Sequence, residues 1–116
     1  MNTPEIIRYA GEGYKTVLNS GDWRIGMIRW AERFDPANFT RVERHLLTDE
    51  AFILLSGKAT LVFGDGDDRF EMQPETIYNV PVGEWHHVLL SKDALVMVVE
   101  KRGTGLENTE YRPKKS

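Results

Sequence analysis

The chain has 116 residues, 41% hydrophobic and 28% charged, with ten Gly, five Pro and no Cys. That length and balance predict one soluble globular domain, and a second is not expected. Lacking cysteine, the chain has no disulfide framework, no thiolate metal site and no cysteine nucleophile, so any metal must be held by His, Asp and Glu.

Short segments rich in β-branched and aromatic residues, separated by Gly, Pro, Asn and Asp, predict strands over residues 14–18, 23–30, 39–45, 50–55, 58–63, 69–72, 76–80, 85–90 and 94–101. No long stretch holds a helical period, so the class is all-β. Asp35-Pro36-Ala37-Asn38 reads as a loop or single turn, because Pro36 presets its own φ and biases Asp35 away from the helical region. Ser56-Gly57 and Gly64-Asp65-Gly66-Asp67 read as tight hairpins. The second lacks the length and distal Glu of a calcium loop. Residues 104–116 are expected to form a polar tail. So many short strands in one small chain predict a closed barrel or jelly roll with an interior pocket.

The formal charge of −3 is not the basic footprint of a nucleic-acid binder. No apolar run approaches the roughly 20 residues that span a bilayer, and the first residues lack a charged, then apolar, leader. The expected location is the cytoplasm, with no membrane or nucleic-acid partner.

The residues able to carry chemistry are Glu43-Arg44-His45, then Glu50, then Pro81-Val82-Gly83-Glu84-Trp85-His86. On a strand Glu43 and His45 point to one side and Arg44 to the other. Glu50 opens the next strand, and antiparallel pairing with its predecessor would place it opposite His45. If His86 faces the same interior, His45, Glu50 and His86 form a two-His-one-carboxylate set with positions open for substrate or water. Glu43 adds a fourth ligand or a base. A set of this kind suits Mn, Ni or Fe better than Zn. His87 faces away from His86 and is expected at the surface or a dimer interface. Tyr78, Trp85, Trp30 and Phe52 are candidate walls of a ligand cleft or ordinary core, and Arg29 is a candidate carboxylate anchor or a surface ion pair.

These segments resemble the two motifs of the cupin superfamily. His45, Glu50 and Gly57 match the second His, the Glu and the closing Gly of the first motif, with four and six residues between them. Pro81, Gly83 and His86 match the centre of the second motif. Glu43 replaces the first His, and Glu75 and Leu90 stand in place of the second motif's leading Gly and trailing Asn. A narrower likeness is to ureidoglycolate lyase, carried by Glu43-Arg44-His45, Ala51-Phe52-Ile53, Trp85-His86-His87 and Val98-Val99-Glu100-Lys101-Arg102-Gly103. The resemblance implies a small single-domain cupin barrel, one divalent metal in it and a homodimer. It further implies lyase or isomerase chemistry on a small carboxylate or hydroxy-acid. Two other readings stay open: a small-molecule or sugar-binding cupin without turnover, and an iron-dependent dioxygenase.

Overall fold

The computed structural model describes residues 2–115. Its strands are β1 Gly13–Ser20, β2 Trp23–Arg29, β3 Arg41–His45, β4 Glu50–Ser56, β5 Ala59–Phe63, β6 Asp68–Glu71, β7 Ile77–Val80, β8 His86–Leu90, β9 Leu95–Lys101 and β10 Thr109–Pro113. They form two five-stranded sheets, ordered β1-β2-β9-β4-β7 and β10-β3-β8-β5-β6. Short 3-10 turns at Glu32–Phe34, Pro36–Asn38 and Leu106–Asn108 are the helical elements among the described residues.

All nine predicted strands are present, none displaced at either end by more than two residues. Inward-facing residues alternate along them. Phe52 and Leu54 of β4 and Val96 and Val98 of β9 face Leu61 of β5 and Val88 and Leu90 of β8, closing the core between the sheets. The outer face of the second sheet has its own apolar layer. Val42, Val62 and Leu89 pack there with Phe39 and Trp85, which explains why all five residues of β8 are buried.

The structure corrects three expectations. Residues 109–113, read as polar tail, form the edge strand β10 on β3. Strand β4 does not pair with β3; it lies between β7 and β9 in the other sheet. Ser56-Gly57 is therefore a corner that carries the chain from one sheet to the other, whereas Gly64–Asp67 is the expected hairpin, joining β5 to β6. Gly57 has φ +72°, and a Cβ there would stand 2.6 Å from the Ala94 Cα, so the corner admits only glycine without rearrangement.

Candidate metal centre and pocket

Strand β3 presents Glu43 and His45 on one face, and its antiparallel neighbour β8 places His86 directly opposite Glu43. Glu50, the first residue of β4, reaches the same point from the other sheet. The three meet across the sandwich interior and not along one ladder. Glu50 Oε1 lies 3.1 Å from His45 Nε2 and 3.0 Å from His86 Nε2. One ligand atom each from Glu43, His45 and His86 also falls within 4.8 Å of the others.

The loops that deliver these side chains are tied together. Gly83 N donates to His45 O at 2.8 Å. Asp49, just before β4, accepts from Val82 N at 2.8 Å and Asn79 Nδ2 at 3.1 Å. Thus the Pro81-Val82-Gly83 turn clamps the ends of β3 and β4 while it aims β8.

Hydrogen-bond accounting fixes what the two imidazoles offer. The Thr109 hydroxyl donates its single proton to Gly105 O at 2.7 Å, so towards His45 Nδ1, 2.9 Å away, it must accept. His86 Nδ1 lies 3.0 Å from Glu84 O, a carbonyl that can only accept. Each ring therefore carries a proton on Nδ1, and in its neutral form each turns a bare Nε2 towards Glu50. Although it is close to both nitrogens, Glu50 Oε1 has no aligned hydrogen bond and is buried. Three lone-pair atoms converging in a buried place are unfavourable unless a positive charge lies among them. Their spacing is close to the roughly 3.0 Å expected between adjacent octahedral ligands with bonds of about 2.1 Å. The donor set fits a divalent cation, and the second imidazole nitrogens are held as metal-binding histidines require.

In the metal-free protein protons take that place. Burial alone would lower the His45 and His86 pKa values, but Glu50 outweighs it and raises both. Burial alone would raise Glu50, but its contacts with His45 and His86 hold its carboxyl well below the usual carboxylate range.

A cavity of about 320 Å³ opens beside this group, within the range of small-molecule sites. Ile28, Phe34, Phe52, Val88 and Val98 make its apolar wall. Its polar wall is Tyr14, Arg24 and Glu100. Arg24 donates to Glu100 Oε1 through Nε at 3.1 Å and Nη2 at 2.8 Å, and the Tyr14 hydroxyl donates to the same oxygen at 3.1 Å. Glu100 is the cross-strand partner of Glu50. Burial, then the neighbouring Glu50, push its carboxyl up to about 7 against the pull of Arg24. Two carboxyls side by side with widely separated proton affinities are a common feature of sites that move protons.

Of the five side chains offered for the cleft, Phe52 lines the cavity, whereas Trp30 packs against the core and donates from Nε1 to Asp35 Oδ2 at 3.0 Å. Arg29 faces outward and donates from Nε to Tyr9 O at 2.7 Å. Trp85 is sandwiched on the outer side of the second sheet between the guanidinium groups of Arg44 and Arg112, 4.6 and 4.3 Å from its ring. Tyr78 packs against the core and its hydroxyl accepts from Gln73 N at 2.9 Å. None of these three lines the cavity. His87 faces away from His86 as expected but is not at the surface. It stacks on Phe34 and Phe39 at 5.9 and 5.1 Å, and burial pulls its pKa down to about 4. The sequence reasoning missed Tyr14, Arg24 and Glu100. The signal for Glu100 was its parity with Val96 and Val98, which places a carboxylate on the inward face of β9.

Among solved structures, a cupin-2 domain protein from Shewanella frigidimarina superposes with a TM-score of 0.59 at 20% identity, covering 81% of this chain and 85% of that one. Streptomyces PAC13 with uridine superposes at 0.66 and 11% identity, covering 95% and 87%; PAC13 is described as a nucleoside dehydratase. The chain has the cupin fold. No family model matches the chain's sequence. Auxin-binding protein 4 of Zea mays is 30% identical over 107 residues, 81% of this chain and 52% of the relative. Auxin-binding protein 5 of the same plant is 30% identical over 90 residues, 69% and 59% respectively. The chain therefore spans between one half and three fifths of the length of these relatives. No helix among its described residues is long and apolar enough to cross a membrane.

Proposed function

We propose that this cupin is a metal-dependent lyase or isomerase acting on a small carboxylate or hydroxy-acid, with ureidoglycolate as the first substrate to test. The observation that carries the reading is the convergence of two imidazole Nε2 atoms on Glu50 Oε1 at 3.1 and 3.0 Å, beside a cavity of small-molecule size. His45, Glu50 and His86 are the residues that hold the cation, with Mn, Ni or Fe favoured over Zn by the mixed N/O donor set. When bound, the cation supplies Lewis-acid polarisation of a substrate carboxylate or hydroxyl.

The chain's own residues do the rest. Glu43 is half-buried on β3 beside the histidines, lines the cavity and has no hydrogen bond or ion pair among the described residues. It is the base that takes a proton from the substrate. Glu100, on the other wall, keeps its own proton up to about pH 7 and can return one to a leaving group. The apolar wall around Phe34, Phe52 and Val98 excludes water from the exchange. That a cupin-fold neighbour is a nucleoside dehydratase supports elimination chemistry in such a barrel. On the same reading the protein works in the cytoplasm on a small-molecule ligand.

The test is elemental analysis of purified protein together with His45→Ala and Glu50→Ala. Metal content falls in both variants if the assignment is right, and undiminished content in either refutes it. A second reading, a small-molecule binding module without turnover, is favoured by the names of the two auxin-binding relatives. Glu43→Gln separates the two: it abolishes glyoxylate release from ureidoglycolate while metal stays bound if the site is catalytic, and it changes only ligand affinity if the site merely binds.

A further inference from the structure

Among the described residues β3 and β8 pair at one position, Glu43 opposite His86. The next pair in register would be Val42 with His87, and there the strands part. A recess of about 50 Å³ occupies the gap, lined by these two residues together with Arg33, Arg41 and Thr40. His87 ties the neighbouring 3-10 turn to β8: its Nε2 lies 3.1 Å from Arg33 O, and since a carbonyl can only accept, the ring donates. The recess adjoins the main cavity, because Arg33, Glu43 and Tyr111 belong to the lining of both.

Two guanidinium groups meet at this junction. Arg33 lies over the Phe34 ring at 4.3 Å and Arg41 over the Tyr111 ring at 4.0 Å. Stacking holds the plane of each group and leaves its N–H edge free. Neither side chain makes a hydrogen bond or ion pair among the described residues, whereas Arg24, Arg44 and Arg112 are each committed to a carboxylate. Glu43, the carboxylate of the same lining, engages neither of them. Burial is the main reason that His87 has a low pKa, and the charges of Arg33 and Arg41 add to it, which places both within reach of its ring. Like charges gathered in one small recess repel, and an oxyanion between them turns that repulsion into attraction.

We infer that this recess is a subsite for a second anionic group, a carboxylate or phosphate, on the molecule whose reacting end lies in the main cavity. The inference rests on the reading of that cavity as a substrate site and narrows its substrate class to dianions; a substrate with one carboxylate, ureidoglycolate included, fills only the metal end. Size agrees. At roughly 10–15 Å³ per water the recess holds about three or four waters, enough for one oxyanion and too little for a ring. The span agrees as well. Residues on one face of β3 recur about every 6.6 Å, so Arg41 stands one step from Glu43 and two from His45, roughly 7–13 Å along the strand. Three chain bonds reach at most about 3.6 Å, so the shorter distance takes about six bonds, the length of a six-carbon acid.

Calorimetric titration with gluconate, glucarate and 6-phosphogluconate, on the Mn(II)-loaded protein and again with chelator, tests this. The three ligands share a six-carbon hydroxy-acid frame and end in a hydroxyl, a carboxylate and a phosphate. The wild type binds at least one dianion at least about tenfold more tightly than gluconate, and the tighter one names the group the recess takes. Arg33→Gln and Arg41→Gln each cut that ratio about tenfold, with gluconate affinity and metal content within about twofold of the wild type. Arg69→Gln, an arginine of the same sheet outside the recess, leaves the ratio unchanged. A wild-type ratio near one, or no binding of either dianion, overturns the inference. So does a ratio that survives in both recess variants or falls equally in Arg69→Gln. If chelator leaves all three affinities unchanged, the metal reading fails instead, and the arginine ratio still decides the subsite.

Discussion

The bond from His45 Nδ1 to Thr109 is the part of the proposed metal site most open to an isosteric test. Thr109→Val keeps the shape of the side chain and removes the acceptor. His45 Nδ1–H, which Thr109 Oγ1 now accepts at 2.9 Å in a half-buried place, is left without a partner. A lost hydrogen bond costs about 1 kcal/mol net, and about 1–3 kcal/mol where the remaining group stays buried. The ring has a way to avoid that cost, which is to move its proton to Nε2 and donate to Glu50. That tautomer has no lone pair for a cation, so the cost appears as lost metal affinity. At about 1.4 kcal/mol per tenfold, the expected weakening is between about 5- and 100-fold, centred near tenfold. Calorimetric titration of the metal-free protein with Mn(II) or Ni(II) at neutral pH measures it. Thr109→Ser, which keeps the hydroxyl, restores wild-type affinity. Nitrogen shifts of His45 in the metal-free protein, recorded above its raised pKa where the ring is neutral, report the tautomer directly: protonated Nδ1 in the wild type and the Ser variant, protonated Nε2 in the Val variant. If Thr109→Val binds metal within about twofold of the wild type, the tautomer reasoning fails, whatever the variant's melting temperature does.

The metal-free protein is expected to be most stable in mild acid. His45 and His86 have raised pKa values in the fold, so their contribution is full below the ordinary histidine value and fades as pH rises through the raised ones. Glu100, raised to about 7, acts with the same sign, whereas Glu50, lowered, contributes above the ordinary carboxylate value and loses that only in strong acid. Melting curves with chelator should therefore fall from about pH 6 to pH 8.5, and added Mn(II) should raise the alkaline end more than the acid end; a flat or rising chelated profile contradicts this. Gly57→Ala forces φ +72° on alanine with its Cβ 2.6 Å from the Ala94 Cα, and is expected to cost about 1–3 kcal/mol in urea unfolding; no loss would mean the corner is not rigid. Leu61→Ala empties a site only 1% exposed between the sheets, for an expected loss of about 2–5 kcal/mol in the same assay.

The strands were legible because inward and outward positions differ so strongly in this chain. Phe52 and Leu54, and Val96 and Val98, alternate with less buried residues, and Gly or Pro closes many of the segments. Strand β10 was not legible for the opposite reason. Thr109-Glu110-Tyr111-Arg112-Pro113 lies at a sheet edge where no residue is fully buried, so its pattern carries no apolar period. Its evidence is structural: Arg44 and Glu110 pair at 2.6 Å across it, and Arg112 reaches Asp65 at 2.6 Å. Missing that strand meant missing Thr109, and with it the atom that settles the His45 tautomer.

The histidines were found for a reason that did not survive in detail. Spacing placed His45, Glu50 and His86 together through an assumed β3–β4 ladder. The jelly roll instead sends consecutive strands to opposite sheets, so Glu50 comes to His45 from across the interior. Local periodicity specifies which side of a strand a residue faces, and that part held; it says nothing about which sheet the strand joins. The same gap hid Glu100. Its inward parity is visible in Val96-Met97-Val98-Val99-Glu100, but its partner Glu50 is fifty residues away and becomes its neighbour only when β9 enters the middle of the first sheet. A buried carboxyl at a strand end reads as a cost until the opposing group is known. Here that group is another carboxyl, and Arg24 with Tyr14 is what makes the pair tolerable. On the proposed reading, proton transfer in this barrel depends on sheet order more than on any motif, which is why the residues proposed to hold a metal could be read in the chain and Glu100, proposed to hold a proton, could not.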